Sequence, residues 1–138
     1  FVHRFRAGLD EKGRVVAWEQ RIVGQSFLKG TPFGGLIKDG IDGTSIEGAA
    51  DTPYAIPNLK VDLHTTKVAV PTLWWRSVGH SHTAFVVESF LDEMAHLMKI
   101  DPLALRRKLL AGKPRHLGVL DLAAEKAGWS RPPSAPRR

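Results

Sequence analysis

Between Pro71 and Met94 the chain reads PTLWWRSVGHSHTAFVVESFLDEM, which sets two adjacent tryptophans, an arginine, a glycine and two histidines just before a helical pattern. These residue types suit the capture of an electron-rich group. The first four N–H groups of a helix have no partner within it, and the helix dipole puts partial positive charge at that end. A strand–turn–helix junction is therefore a natural place for an anion. Arg76 adds a planar, permanently charged donor fork just upstream. Gly79 permits a tight backbone path, and Trp74 and Trp75 can cover a heterocycle or fill a core. On the residues alone a packed turn with a surface arginine remains the competing reading. His80 and His82 invite a metal reading, but a closed site needs two more ligands and the sequence places none. Asp92 and His96, four residues apart, read in the same way as part of a solvated helix face.

The surrounding chain must position this turn. FVHRFRAGLDEKGRVVAWEQRIVG reads as a β-hairpin: VHRFRAGL alternates, DEKG supplies turn chemistry, and RVVAWEQRIV resumes with β-branched and aromatic residues. The next stretch, from Gly24 to Pro53, holds seven of the 13 glycines and has no sustained period. It reads as a long loop, either a flexible connector or one ordered only by a partner or cofactor. It carries no GxGxxG and no GK(S/T), so no nucleotide fingerprint. YAIPNLKVDLHTTKVAV is a strand region that Pro57 should open, ending near Val70. From Ser81 or His82 the apolar residues Phe85, Val86, Phe90, Met94, Leu97 and Met98 take helical spacing. Asp101 as N-cap and Pro102 at the first position start a second helix, ended by Gly112. HLGVLDLAAEKAGW offers a third, stopped by Gly128. The expected fold is α+β, an antiparallel hairpin plus a further strand packed against two or three C-terminal helices.

Composition narrows the function. The 138 residues make about one domain, with 43% hydrophobic residues to bury one core. No run of apolar residues is long enough to cross a bilayer as a helix. There is no cysteine, which excludes thiolate metal sites and iron–sulfur ligation within the chain. The net charge of +6 raises a nucleic-acid reading. Much of the excess sits in RRKLLAGKPRH and in the closing RPPSAPRR, and the Pro/Arg-rich residues 130–138 are expected to form a disordered tail. The chain opens in strand-like alternation with no initiator methionine, as a piece of a longer protein would.

The segment from about Tyr54 to Leu110 resembles part of the molybdenum-binding large subunit of the xanthine oxidase/aldehyde oxidoreductase family, nearest to isoquinoline 1-oxidoreductase β subunits and membrane-associated aldehyde dehydrogenases. The family pattern runs Y-x-I-P-N, a strand, A-F-R-G-F-G-G-P-Q, and a helix with E-x-x-x-(D/E)-E-x-A. The corresponding stretch here is YAIPN…LWWRSVGHSHTAFVVESFLDEMA, closed by DPLALRRKLL like the family's xPxxxRRKN. RSVGHSHTAFVVE aligns with RGFGGPQxxFxxE without a gap. The resemblance extends over most of residues 1–129, which are expected to be one fragment of a molybdopterin-binding domain.

Carried over by position, the resemblance makes Trp75, Arg76 and Ser77 cofactor-binding residues. Trp75 stands for a phenylalanine whose backbone lies along the cofactor, and Arg76 for the arginine beside the molybdopterin. Val78 falls in the substrate pocket, replacing a phenylalanine whose ring packs on aromatic substrates. Gly79 keeps the first paired glycine, His80 departs from the second, and His82 stands where the family has glutamine. The implied parent is a molybdenum-dependent oxidoreductase that oxidises an aldehyde or N-heteroaromatic carbon with oxygen from water, using molybdopterin in its cytosine dinucleotide form. Its catalytic base is a glutamate with no match in this chain, so the fragment alone is expected to be inactive and to hold no cofactor. The implied partners are an iron–sulfur small subunit and an electron acceptor such as a cytochrome, in a periplasmic or membrane-associated bacterial setting; no nucleic acid is expected. The alternative is an independent basic module for nucleic acid or an acidic partner. Such a module should gather its Lys and Arg on one face, whereas a fragment should expose apolar surface where its neighbours belong.

Overall fold

The computed structural model describes residues 1–130. Residues 131–138, most of the stretch expected to be a disordered tail, lie outside the described residues.

A hairpin and a third strand make one sheet. Strand β1 (Val2–Leu9) pairs antiparallel with β2 (Val15–Gln25), from Val2 opposite Val23 to Leu9 opposite Val15, with a register shift between Gly8 and Leu9. The Asp10 carboxylate closes the turn, accepting the backbone N–H of Lys12 and Arg14 at 3.0 and 2.8 Å. Strand β3 (Asn58–Thr66) lies on the other side of β2 and runs parallel to it, from Ala17 opposite Asn58 to Gln25 opposite Thr66. The extra strand of the expected α+β fold is present, and its parallel direction gives the glycine-rich stretch its task. A parallel pair needs a long crossover, and residues 26–57 are that crossover.

Alternation along the strands separates two faces. Trp18, Gln20 and Ile22 are buried on one. Glu19, Arg21, Lys60 and Asp62 stand on the other and form a charge ladder, with Arg21–Asp62 at 2.9 Å and Lys60–Glu19 at 3.5 Å. Helix α1 (His80–Leu97) and helix α2 (Pro102–Leu109) cover the apolar face. The core joins Val15 and Trp18 to Val87, Leu91, Met94 and Ala95 of α1 and to Leu105 and Leu109 of α2. Burying one such side chain contributes about 1.5–3 kcal/mol. Phe5, Trp18 and Phe90 pack as an aromatic trio with ring centroids 4.7–5.4 Å apart.

Asp101 caps α2 as its residue type predicts, accepting from the Leu103 N–H at 2.9 Å. Helix α3 (Pro114–Lys126) begins earlier than the pattern indicates, with Pro114 at its first position, and has no fully buried residue. Arg107–Asp121 (2.7 Å) and Trp129 Nε1 to Asp101 (3.1 Å) tie α3 and its end to the body.

The crossover corrects the expectation of a bare connector or a loop ordered only by a partner. Phe27, Leu28 and Ala49 are buried in it, and so is Asp42. The Asp42 carboxylate accepts from Ser26 Oγ (2.5 Å), Thr44 Oγ1 (2.5 Å) and the N–H groups of Leu28 and Thr44. Burial pushes this carboxyl up, but those hydrogen bonds outweigh it and hold the group below its ordinary pKa. One buried acid thus organises a loop whose glycines alone would not.

Candidate functional site

Strand β3 ends at Thr66, short of the expected Val70, and residues 67–75 continue as an extended strap. Gln25 pins it: its side-chain oxygen accepts from the Val68 N–H at 2.8 Å and its amide donates to Thr72 Oγ1 at 3.1 Å. The strap turns apolar side chains to solvent. Val70, Leu73 and Trp75 are 69%, 63% and 85% exposed. Trp74 folds the other way and packs edge-on against Phe33 at 5.5 Å. The adjacent tryptophans thus divide their roles, one to the crossover and one to the outside.

At the end of the strap the backbone is strained. Ser77 and Val78 have φ of 71° and 41°. Left-handed backbone is disfavoured in any L-residue and is an outlier for a β-branched one. The family pattern has glycine where Ser77 stands, which is the residue such a φ favours. Gly79 itself is ordinary helical backbone at φ −62°, so conformational freedom is not its use. A Cβ there would lie 2.2 Å from the Thr44 carbonyl oxygen. Gly79 allows the crossover to touch the start of α1.

That contact corrects the expectation of vacant amides at the helix N-terminus. Gly79 N–H donates to Glu47 Oε2 at 3.1 Å, and Thr83 Oγ1 donates to the Glu47 carbonyl at 2.6 Å. The positive end of α1 already has a carboxylate. The cation left at the turn is Arg76: it is exposed, and its guanidinium has no hydrogen-bond or ion-pair partner among the described residues. Trp75, Arg76 and Ser77 are all exposed, and Val78 is half-buried beside them.

His82 packs against His3 and Phe1. Its Nδ1 lies 3.0 Å from His3 Nε2, and Gln20 Nε2 lies 3.2 Å from His3 Nδ1. Phe1 stacks on the His82 ring at 3.8 Å. Burial, then the neighbouring His3, lowers the His82 pKa to about 4. His80 does not join this pair, and no group of three metal-ligating side chains occurs among the described residues.

Further along α1, Asp92, expected with His96 on a solvated helix face, is exposed and joins Glu88 in a clamp. Arg106 donates through Nε to Glu88 at 2.8 Å and through an NH group to Asp92 at 2.6 Å. Tyr54 O–H donates to Glu88 at 2.9 Å. Burial and then the Glu88 charge raise the Tyr54 pKa. For Arg106, burial acts downward, and the hydrogen bonds to Asp92 and Glu88 reverse it and raise the pKa. The tyrosine of YAIPN, two acids of the helix and the first arginine of RRK therefore satisfy one another.

Sequence reasoning missed Glu47 and Thr83. Glu47 lies in SIEG within an aperiodic loop, where no local pattern marks it. Thr83 carried a weak signal, as a polar residue at helical spacing from the buried Val87, Leu91 and Met94.

Comparison with known proteins places the chain in a family. Residues 1–110 match the family model of the molybdopterin cofactor-binding domain, and the chain belongs to that family, as part of the xanthine oxidase group of molybdenum enzymes. It is 31% identical over 124 residues to the membrane-bound aldehyde dehydrogenase [pyrroloquinoline-quinone] of Gluconacetobacter polyoxogenes, covering 85% of this chain and 16% of that protein. It is 32% identical over 119 residues to a probable xanthine dehydrogenase subunit of Bacillus subtilis, covering 84% and 15%. The isoquinoline 1-oxidoreductase subunit beta of Brevundimonas diminuta is 30% identical over 78 residues, covering 56% and 10%. All three names are those of oxidoreductases, and two are named as subunits. The chain spans about a sixth of the length of the first two relatives.

Proposed function

We propose that this chain forms one wall of the cofactor pocket in a molybdenum hydroxylase subunit, with Trp75, Arg76 and Ser77 against the molybdopterin and Val78 in the substrate pocket. The observation that carries this is the strained turn, which holds an exposed indole and an unpaired guanidinium outward. A fork of N–H donors beside an aromatic surface suits the electron-rich heteroatoms of a pterin. Bound there, the cofactor would supply the oxidation chemistry, and this chain's own part is to bind and orient. The glutamate base would come from elsewhere in the parent protein.

The parent on this reading oxidises an aldehyde or an N-heteroaromatic carbon with oxygen from water. It would use the cytosine dinucleotide form and pass electrons through an iron–sulfur subunit to an acceptor such as a cytochrome, in a periplasmic or membrane-associated setting. With Val78 in place of an aromatic ring, the pocket relies less on ring stacking. The Gluconacetobacter relative has a quinone in its name; the family match over residues 1–110 favours molybdopterin. Against the basic-module reading, Arg6, Arg21 and Lys60 of the outer sheet face are paired with Glu19 and Asp62, and the exposed strap is apolar.

Arg76→Ala in the whole protein tests the proposal. Loss of a charge-assisted hydrogen bond costs about 1.5–3 kcal/mol, or roughly ten- to over a hundredfold in an equilibrium constant. Molybdenum content and specific activity should fall by that order, while the melting temperature barely moves. A mutant that is destabilised yet fully loaded and active would make Arg76 architecture and end this reading.

A further inference from the structure

Glu47 meets the start of α1 at two points. Its carboxylate accepts the Gly79 N–H at 3.1 Å, and its carbonyl accepts Thr83 Oγ1 at 2.6 Å. Thr83 is fully buried. The fit is close on both chains. A Cβ on Gly79 would stand 2.2 Å from the Thr44 oxygen and 3.0 Å from Glu47 Cβ, and one on Gly48 would stand 2.5 Å from His80 Nδ1 and 2.9 Å from Thr83 Oγ1. The turn that this contact backs is the one with left-handed backbone at two successive non-glycine residues, Ser77 and Val78. Such backbone persists only where the surroundings over-determine it.

We propose that Glu47 is a positioning residue for the Trp75–Val78 turn. The crossover segment from Thr44 to Gly48 is the template, and the Glu47 carboxylate is its anchor on the amide of Gly79, the N-cap of α1. Two consequences follow from its charge and place. The anchor holds Ser77 and Val78 in the conformation that turns Trp75 and Arg76 outward. It also neutralises the positive end of α1, so that Arg76 is the cation the turn offers a ligand. This inference rests on the cofactor role proposed for the turn, and it adds the part of the chain that sets its geometry.

The test uses the whole protein with Glu47→Ala and Glu47→Gln, site-resolved amide hydrogen exchange, and molybdenum content on the same preparations. In Glu47→Ala the amides of Val78 and Gly79 should exchange at least tenfold faster, while those in the middle of α1 and in β2 keep their protection. Glu47→Gln retains an oxygen that accepts the Gly79 N–H, and it should restore most of that protection. Molybdenum content should follow the protection of Gly79 across the series. Unchanged exchange at Gly79 in Glu47→Ala overturns the positioning role, as does an equal loss of protection along all of α1. Faster exchange at Gly79 with full molybdenum loading leaves Glu47 as the anchor of the turn and overturns the cofactor role of the turn. Molybdenum lost in Arg76→Ala, with Gly79 exchange unmoved in Glu47→Ala, does the reverse.

Discussion

The two motif regions, one at the start of α1 and one along its middle, are built on opposite plans. In the clamp, Tyr54, Glu88, Asp92 and Arg106 hydrogen-bond one another, and only 12% of the Arg106 side chain is exposed. At the turn, Trp75 is 85% exposed, Arg76 has no side-chain partner among the described residues, and the backbone is strained. Both regions carry arginine and aromatic residues, so residue type does not distinguish them. Saturation does. Groups that satisfy one another hold a fold together, and charged groups left unpaired on a braced, strained turn are placed for something outside the chain.

Removing each region's arginine should separate the two plans most clearly. Arg106→Ala leaves Glu88 and Asp92, four residues apart on one helix, as unopposed like charges, and it takes a charged partner from Tyr54's acceptor. The expected loss is about 2–3 kcal/mol of stability, read as a lower urea or thermal midpoint. Arg76→Ala should stay within about 0.5 kcal/mol of the parent in the same measurement. Equal losses would erase the distinction between clamp and site.

Between the two plans stands His82, in the first turn of α1, paired with His3 but with its Nε2 buried and unpartnered. Its folded-state pKa of about 4 lies below the ordinary value of 6.5. The unfolded chain therefore binds the proton first. The pair contributes stability that is complete above about pH 6.5 and is lost as pH falls toward about 4. Partial exposure of the pair screens this to roughly 1–2 kcal/mol. His82→Gln, the family's residue at this place, keeps a hydrogen-bonding side chain and cannot titrate. It should flatten the dependence of the melting temperature on pH between 7 and 4. An unchanged slope would mean that other groups carry the acid sensitivity.

The same contrast explains what could be read in the sequence. Hairpin, helices and the Asp101 cap were legible because alternation, periodicity and capping chemistry act over a few neighbouring residues. The parallel direction of β3 was not, because nothing local to Asn58–Thr66 encodes which edge of β2 it joins. The order of the crossover depends on Asp42 meeting Ser26, 16 residues away in sequence. Arg76 and Trp75 could be singled out by type and position. Their exposure could not, and neither could Glu47 as the acid behind them, because contacts at a separation of 32 residues leave no pattern in the chain. Asp92 had, with His96, the spacing of a solvated helix face, and only the return of α2 brings Arg106 to it and to Glu88.

The smallest effect concerns the strain itself. Ser77 at φ 71° occupies a backbone region that glycine enters without a Cβ penalty. Left-handed backbone costs a non-glycine residue about 1–2 kcal/mol. Glycine returns part of this gain, about 0.4–1 kcal/mol, through the greater freedom of its unfolded chain. Ser77→Gly should therefore stabilise the protein by roughly 0.5–1 kcal/mol, seen as a modest rise in melting temperature. If the Glu47 anchor determines the turn, relieving the strain should leave amide protection at Gly79 and the exposure of Trp75 unchanged, the latter read by tryptophan quenching. A loss of stability would show that the Ser77 hydroxyl has a partner in the whole protein worth more than the strain. A gain in stability with Trp75 newly protected would show that the strain itself, rather than the anchor behind it, turns the indole outward.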